Sequence, residues 1–361
     1  MSPDGAYGGP ASVALNLCAE LDRRGHDVLL AAGTWGYNPV PTEVDGVRVQ
    51  LFDAHRLIPV KSFAGVGAPG LWRWFRRFGR EFDVVHVHFG RDLVVAPVAW
   101  AARFRGVPYV LQTHGMVIPS RHPLARPVDA VMTRPVLRGA GAVCCLDDLE
   151  RAQVREVGGR GVNLQTLPNG VPDYTGPVVP PGGTPEVLFA SRLHARKRPL
   201  VFVDMAHRLL ATGVDARFTL VGPDNGEADT VGEAIADETR ITWEGPLDHT
   251  EIPQRMSQAR VFVLPSVAEP YPMAVLEAMS VGIPVVVTDD CGLAPLVERV
   301  GCGVVVDHSA DSLATAVGGI LAEPAKGVHM GQRGRAAVHT ECGMAAIADR
   351  LDDIYARLVD R

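Results

Sequence analysis

From residue 27 onward, short apolar runs rich in β-branched residues alternate with longer stretches of helical periodicity. In the first half the runs read DVLLAA (27–32), VRVQLF (47–52), DVVHVHF (83–89), YVLQT (109–113), AVCCL (142–146) and NLQTL (163–167). Continuous runs of this kind predict parallel strands buried on both faces, and the stretches between them suit crossover helices. Residues 168–186, PNGVPDYTGPVVPPGGTPE, are dense in proline and glycine and have no periodicity, so they predict a linker. Beyond it the alternation resumes with VLFAS (187–191), RFTLVG (217–222), ITWEG (241–245), VFVLPS (261–266), PVVVTD (284–289) and GVVVD (303–307). The pattern predicts two tandem Rossmann-like, doubly wound α/β domains, with ligands in a cleft faced by the carboxyl ends of the strands. The expected boundaries are 1–172, a linker over 173–185, 186–340, and a terminal helix over 341–361 that packs back on the first domain.

Composition narrows the class. The chain has 361 residues, 47% apolar and 21% charged, as in ordinary globular proteins. Its longest apolar runs fall far short of the roughly 20 residues of a membrane helix, and no signal-peptide pattern opens the chain, so a cytoplasmic location is expected. Six cysteines without a C-x-x-C pair read as core thiols rather than as zinc or disulfide sites. Residues 1–172 carry 19 basic against 15 acidic side chains and the remainder 16 against 26, a mildly basic half followed by an acidic one. Neither half has the basicity of a nucleic-acid binder.

The chemistry concentrates in EPYPMAVLEAMSVG, residues 269–282. Pro270 and Pro272 keep Glu269 out of a helix, whereas Glu277 falls about a turn and a half inside one that Gly282 stops. The helix start between them, Pro272, Met273, Ala274 and Val275, predicts an anion site. Two acids eight apart also arise as a cap and a solvent-facing side chain. With its continuation AMSVGIPVVVTDDCG, the stretch resembles the E-x7-E signature of retaining glycosyltransferases of family 4, which have the two-domain GT-B architecture, and the likeness extends over nearly the whole chain.

The resemblance implies roles for particular residues. Glu269 would bind hydroxyls of the donor sugar and Glu277 the ribose of the nucleotide; ionised carboxylates accept well from paired hydroxyls. In ASRLHARKRP, residues 190–199, Arg192 and Lys197 would hold the donor diphosphate and stabilise the charge growing on the leaving phosphate. Arg198 stands where many relatives have glycine. In LQTHGMV, His114 would contact the donor sugar near the reacting carbon, although a lone histidine at a strand end is more often structural. Gly8 and Gly9, in DGAYGGPASVALNL, would bring backbone close to the diphosphate or the acceptor, and the main chain from Gly245 to Leu247 would meet the base. His86 and His88 read as core residues at least as readily as acceptor-side ones.

Other features bound the expectation. GVGAPG (65–70) satisfies G-x-G-x-x-G, but no strand leads into it and it reads as a flexible loop. D-x-D and H-E-x-x-H are absent from the sequence, so activity without a metal or other cofactor is expected. Only MSPDGAY precedes Gly8, so the first domain is expected to lack its first strand, and a natural start upstream of Met1 is the expected cause. LWRWFRRFGREF (71–82) read as a helix puts Leu71, Trp74, Phe75, Phe78 and Phe82 on one stripe, suited either to the core or to an anionic membrane. The expected function is metal-independent, retaining transfer of a sugar from a nucleotide diphosphate sugar to a hydroxyl acceptor in surface polysaccharide synthesis, the acceptor being lipid-linked if the enzyme works at a membrane. A small-molecule acceptor and a nucleotide-sugar epimerase on the same architecture are the alternatives.

Overall fold

The computed structural model describes residues 1, 9–59, 63–120, 122, 125–176 and 182–359. The chain divides into two compact units, Met1–Gly170 with Met344–Arg361, and Val171–Gly343.

In the first unit the strands are β1 (Leu30–Thr34), β2 (Glu43–Val44), β3 (Val47–Asp53), β4 (His55–Arg56), β5 (Val66–Gly67), β6 (Val85–His88), β7 (Tyr109–Gln112), β8 (Ala142–Cys145) and β9 (Leu164–Thr166). They fall into separate sheets: β1-β3-β2, a β4-β5 pair, and β6-β7-β8-β9 with every pairing parallel. Among the described residues no strand joins β1 to β6. Both are mostly half-buried, while every residue of β7 and β8 is buried, because an apolar strand with a neighbour missing on one side stays open to solvent there. Met1 lies along the end of β1: its amino group donates to Gly33 O (2.6 Å) and its carbonyl accepts from Trp35 N (2.9 Å) and the Thr34 hydroxyl (3.0 Å).

One face of the four-stranded sheet packs on the helices Pro69–Phe78 and Ala96–Arg105 through Leu71, Phe75, Val87, Ala99 and Leu111. The other takes Leu17 and Leu21 of Gly9–Arg23 together with Ile347 and Leu351 of Met344–Val359. One expectation changes here, and one pair of alternatives is decided. GVGAPG is no flexible loop: Val66 and Gly67 pair with Arg56 and His55, and Ala68 is 1% exposed. The stripe over 71–82 belongs to the unit's interior, with Leu71 and Phe75 buried and Trp74 against Phe52 at 5.6 Å. It is therefore unavailable to a lipid surface, and the helix shows outward only Trp72 and its arginines, Arg76 lying over the Trp72 ring at 5.0 Å.

The second unit holds β10 (Glu186–Ala190), β11 (Arg217–Val221), β12 (Ile241–Trp243), β13 (Val261–Leu264), β14 (Val285–Thr288) and β15 (Gly303–Val306) in one parallel sheet of order β12-β11-β10-β13-β14-β15. Val187, Leu188, Phe189, Val261, Phe262, Val263 and Val285 to Val287 have no accessible surface, which is why these strands read as unbroken apolar runs. The order reverses at β10, between β11 and β13. In an open parallel sheet the crevice at such a switch point, beyond the carboxyl ends of the strands, receives the ligand.

Candidate active site

The segments following β10 and β13 meet at that point. Val267 N donates to Arg196 O (2.9 Å), fixing one loop on the other. Glu269 is 7% exposed, and its Oε2 accepts from Lys197 Nζ (2.5 Å) and Arg196 Nη2 (3.0 Å). Burial pulls the Lys197 ammonium below its ordinary pKa, the neighbouring Glu269 carboxylate opposes that, and Arg196 and Arg192 reinforce it. Arg192 is exposed. The cluster thus has more positive charge than one carboxylate offsets, and part of it is desolvated.

Two glycines permit this close arrangement. A Cβ on Gly222 would stand 2.1 Å from Ser191 O, and one on Gly292 would stand 1.7 Å from Pro270 O, so a side chain at either would push apart the segments that carry Arg192 and Glu269. Gly292 N also donates to Glu269 O (2.8 Å).

The helix Met273–Ser280 begins just after this cluster, with extended Pro272 as its cap. Of the four residues expected to form the anion site, two supply an amide. Pro272 has no N–H, and Val275 N is used by Pro272 O (3.1 Å), so Met273 and Ala274 carry the amides open to an anion. Glu277, half-buried on the same helix, has its carboxyl pushed up to about 7 by burial, with His249 opposing. The Gly245 carbonyl is occupied by Gly222 N (2.8 Å), and Leu247 packs against the core of the unit.

At the ends of β14 and β15, Asp289, Asp290 and His308 form the one group among the described residues spaced to hold a cation. His308 Nε2 lies 3.4 Å from Asp289 Oδ1 and 3.6 Å from Asp290 Oδ2. Asp290 is already committed to Ala268 N (2.7 Å) and the Thr288 hydroxyl (3.1 Å), and both aspartates are exposed.

In the first unit His114 follows β7 with φ +47, a left-handed conformation that disfavours any residue with a Cβ. The buried carboxylate of Glu150 holds it there, accepting from the Thr113 hydroxyl (2.6 Å), Gly115 N and Leu146 N (2.6 Å). His86 and His88, two apart on β6, share one face and stack at 5.0 Å. His88 Nδ1 reaches His114 Nε2 at 2.7 Å, and burial lowers the pKa of all three rings, that of His114 to about 3. Gly9 is the exposed first residue of its helix; Gly8 lies outside the described residues.

Sequence reasoning missed Arg196 and Glu150. Arg196 sits beside Lys197 in a run of basic residues where nothing distinguishes it, and Glu150 reads as a surface acid in the first turn of Asp148–Gly158. The available signal for Glu150 was its place three residues after the helix cap Asp147, the position that turns back toward the preceding strand.

Residues 8–170 match the family described as "Glycosyl transferase 4-like domain", and residues 184–323 that described as "Glycosyl transferases group 1". The chain is a glycosyltransferase. The glycosyltransferase is 24% identical over 359 residues to the alpha-D-kanosaminyltransferase of Streptomyces kanamyceticus, a match covering 89% of this chain and 87% of that protein. It is 23% identical over 309 residues to the UDP-Gal:alpha-D-GlcNAc-diphosphoundecaprenol alpha-1,3-galactosyltransferase of Escherichia coli, covering 77% and 76%. The solved structure of Anabaena Alr3699/HepE in complex with UDP and glucose has the same fold, with a TM-score of 0.75 at 20% identity over 98% of this chain and 97% of that one. The architecture is GT-B.

Proposed function

We propose that this glycosyltransferase is a retaining member of family 4 that moves a sugar from a nucleoside diphosphate sugar to a hydroxyl acceptor without a bound metal. One arrangement carries the reading: Glu269 paired with Lys197 and Arg196 immediately before a helix start with open amides, and Glu277 further along that helix. Such a site has acceptors for sugar hydroxyls, cations and N–H groups for a diphosphate, and a second carboxylate for a ribose.

In the proposed reaction the bond from the anomeric carbon to the phosphate oxygen breaks while the acceptor oxygen attacks on the same face. The acceptor proton passes to the departing phosphate oxygen. Lys197, with Arg192, stabilises the negative charge that develops there. His114 would touch the donor sugar. The relative from Escherichia coli is named for a diphosphoundecaprenol-linked acceptor, and a lipid-linked acceptor in surface or exopolysaccharide assembly is the corresponding proposal for this chain. A reversible association with anionic membrane would then rest on Arg73, Arg76, Arg77 and Arg80, which the helix and the turn after it leave exposed.

The test is a panel of nucleoside diphosphate sugars, with and without hydroxyl acceptors, in buffer containing EDTA. Release of nucleoside diphosphate only when acceptor is present, with the donor's anomeric configuration kept in the product, is the expected result. Release without acceptor together with a changed sugar would make the protein an epimerase. An inverted product would remove the retaining assignment, and loss of activity in EDTA, restored by a divalent cation, the metal-free one.

A further inference from the structure

Glu269 follows a residue that its own Cβ disfavours: Ala268 has φ +48, in the left-handed region. Such a conformation persists where the surroundings over-determine it. Here they do so bond by bond. Ser266 O accepts from the Thr288 hydroxyl (2.6 Å), Val267 N donates to Arg196 O (2.9 Å), Ala268 N donates to Asp290 Oδ2 (2.7 Å), and Glu269 O accepts from Gly292 N (2.8 Å). Three of these four contacts come from the last residue of β14 and the turn after it, which Cys291 N closes on Thr288 O (3.1 Å). Strand register brings the turn to the loop, and Asp290 then reaches the residue next to Glu269 with a side chain.

The sense of that bond is fixed by its chemistry, since a backbone amide donates and a carboxylate accepts. Its 2.7 Å length is short for N–H to O, as an ionised acceptor makes it. The other oxygen of Asp290 lies 3.1 Å from Thr288 Oγ1, but the one hydroxyl proton of Thr288 is claimed by the shorter contact to Ser266 O. The work of Asp290 in this loop is therefore concentrated on Ala268 N. What it sets is the direction in which the chain leaves Ala268, and with it the 2.5 Å contact of the Glu269 carboxylate with Lys197 Nζ.

We propose that Asp290 is a positioning residue for Glu269: by accepting from Ala268 N it holds the left-handed turn of the loop and so keeps the Glu269 carboxylate on Lys197. The consequence for sugar transfer rests on the function proposed above, whereas the hold on Glu269 does not.

Lys197 reports the hold in the free protein. Its amine is largely buried and paired while Glu269 is in place, and without that carboxylate burial and the neighbouring arginines leave more of it neutral and reactive. Acetylation by acetic anhydride, read by peptide mass with exposed Lys326 as the internal reference, should be about tenfold faster at Lys197 in Asp290→Ala than in the parent, the effect of one hydrogen bond. Glu269→Gln should show the same rise. Asp290→Asn should label as the parent does, because its side-chain oxygen accepts from Ala268 N and its amide can donate to Thr288 Oγ1. Parental labelling in Asp290→Ala, or equal labelling in Asp290→Ala and Asp290→Asn, overturns the proposal whatever reaction the protein catalyses. Amide exchange across β13 and β14 should stay parental in every variant, and faster exchange there in Asp290→Ala would overturn it too, by showing that Asp290 supports the unit as a whole. In transfer assays Asp290→Ala should lower kcat/KM for the donor about tenfold, Asp290→Asn should restore most of the loss, and in a Glu269→Gln background Asp290→Ala should cost nothing further. A loss that persists in that background would mean that Asp290 does not act through Glu269. Absence of sugar transfer by the parent, with labelling as expected, would overturn the function and leave the positioning intact.

Discussion

The two units are built on the same alternation of strand and helix, yet one has a continuous sheet and the other a divided one. In Val171–Gly343 six parallel strands run without a break, and Val187 to Phe189 and Val261 to Val263 of the central ones have no accessible surface. Among the described residues of the first unit no strand lies between β1 and β6, and the residues of both are mostly half-buried. The difference shows how each unit holds its functional residues. The second places Lys197 and Glu269 by the register of buried strands. The first holds His114 through side chains: a buried carboxylate on its flanking backbone and a stack of imidazoles on its ring.

The largest effect should come from the ordered unit. Lys197→Ala should reduce turnover by about a hundredfold to a thousandfold, the usual cost of losing one group that stabilises transition-state charge, with a smaller change in donor affinity. Steady-state kinetics decide it, and parent-like turnover would detach the cluster from the chemistry.

Glu277→Ala should weaken nucleotide binding by about 1.5 to 3 kcal/mol, measured by calorimetry. The same carboxyl gives a pH signature. Its folded-state pKa, about 7, lies above the ordinary 4.5. Below pH 4.5 it is protonated whether the chain is folded or not and costs nothing. As pH rises from 4.5 to 7 the unfolded chain ionises first, so stability falls over that window and levels off above it. Nucleotide hydroxyls favour the ionised form, so affinity should rise through pH 7, and Glu277→Gln should flatten both trends.

The divided sheet makes a prediction of its own. Amides of β1 and β6 should exchange with solvent at least tenfold faster, about 1.4 kcal/mol, than those of β10 and β13, because local opening follows the density of buried contacts. Equal exchange in the two units would erase the contrast drawn here. The smallest effect belongs to the surface: replacing Arg73, Arg76, Arg77 and Arg80 by Gln should lower cosedimentation with anionic vesicles, by about 1 kcal/mol per arginine at most, and leave neutral vesicles unaffected.

How legible these features were follows from where their causes lie. The inner strands β11, β13 and β14 of the second unit could be read almost to the residue because a strand buried on both faces is apolar nearly throughout. β1 sits later than DVLLAA suggested, at Leu30–Thr34, since only that stretch pairs with Val49 to Asp53, and pairing is a long-range fact. Lys197 and Glu269 were legible as a motif, but their mutual contact across 72 positions was not. Glu150 and Arg196 act through partners that local periodicity never brings into view, and the open amides at Met273 and Ala274 emerged only once Pro272 was placed at the cap.

The ion cluster around Glu269 has a consequence for turnover. The Glu269 carboxylate pairs with Lys197 and Arg196 at once and offsets one of their two positive charges. On the proposed assignment an intact donor exchanges both sets of partners at once: its phosphates engage Lys197 while its sugar hydroxyls satisfy Glu269. The spent nucleotide can do only the first, and it leaves a buried carboxylate competing to recover its lysine. The resting contact thereby favours departure of the product over its retention, so the same pair that readies the site for a donor also helps to clear it.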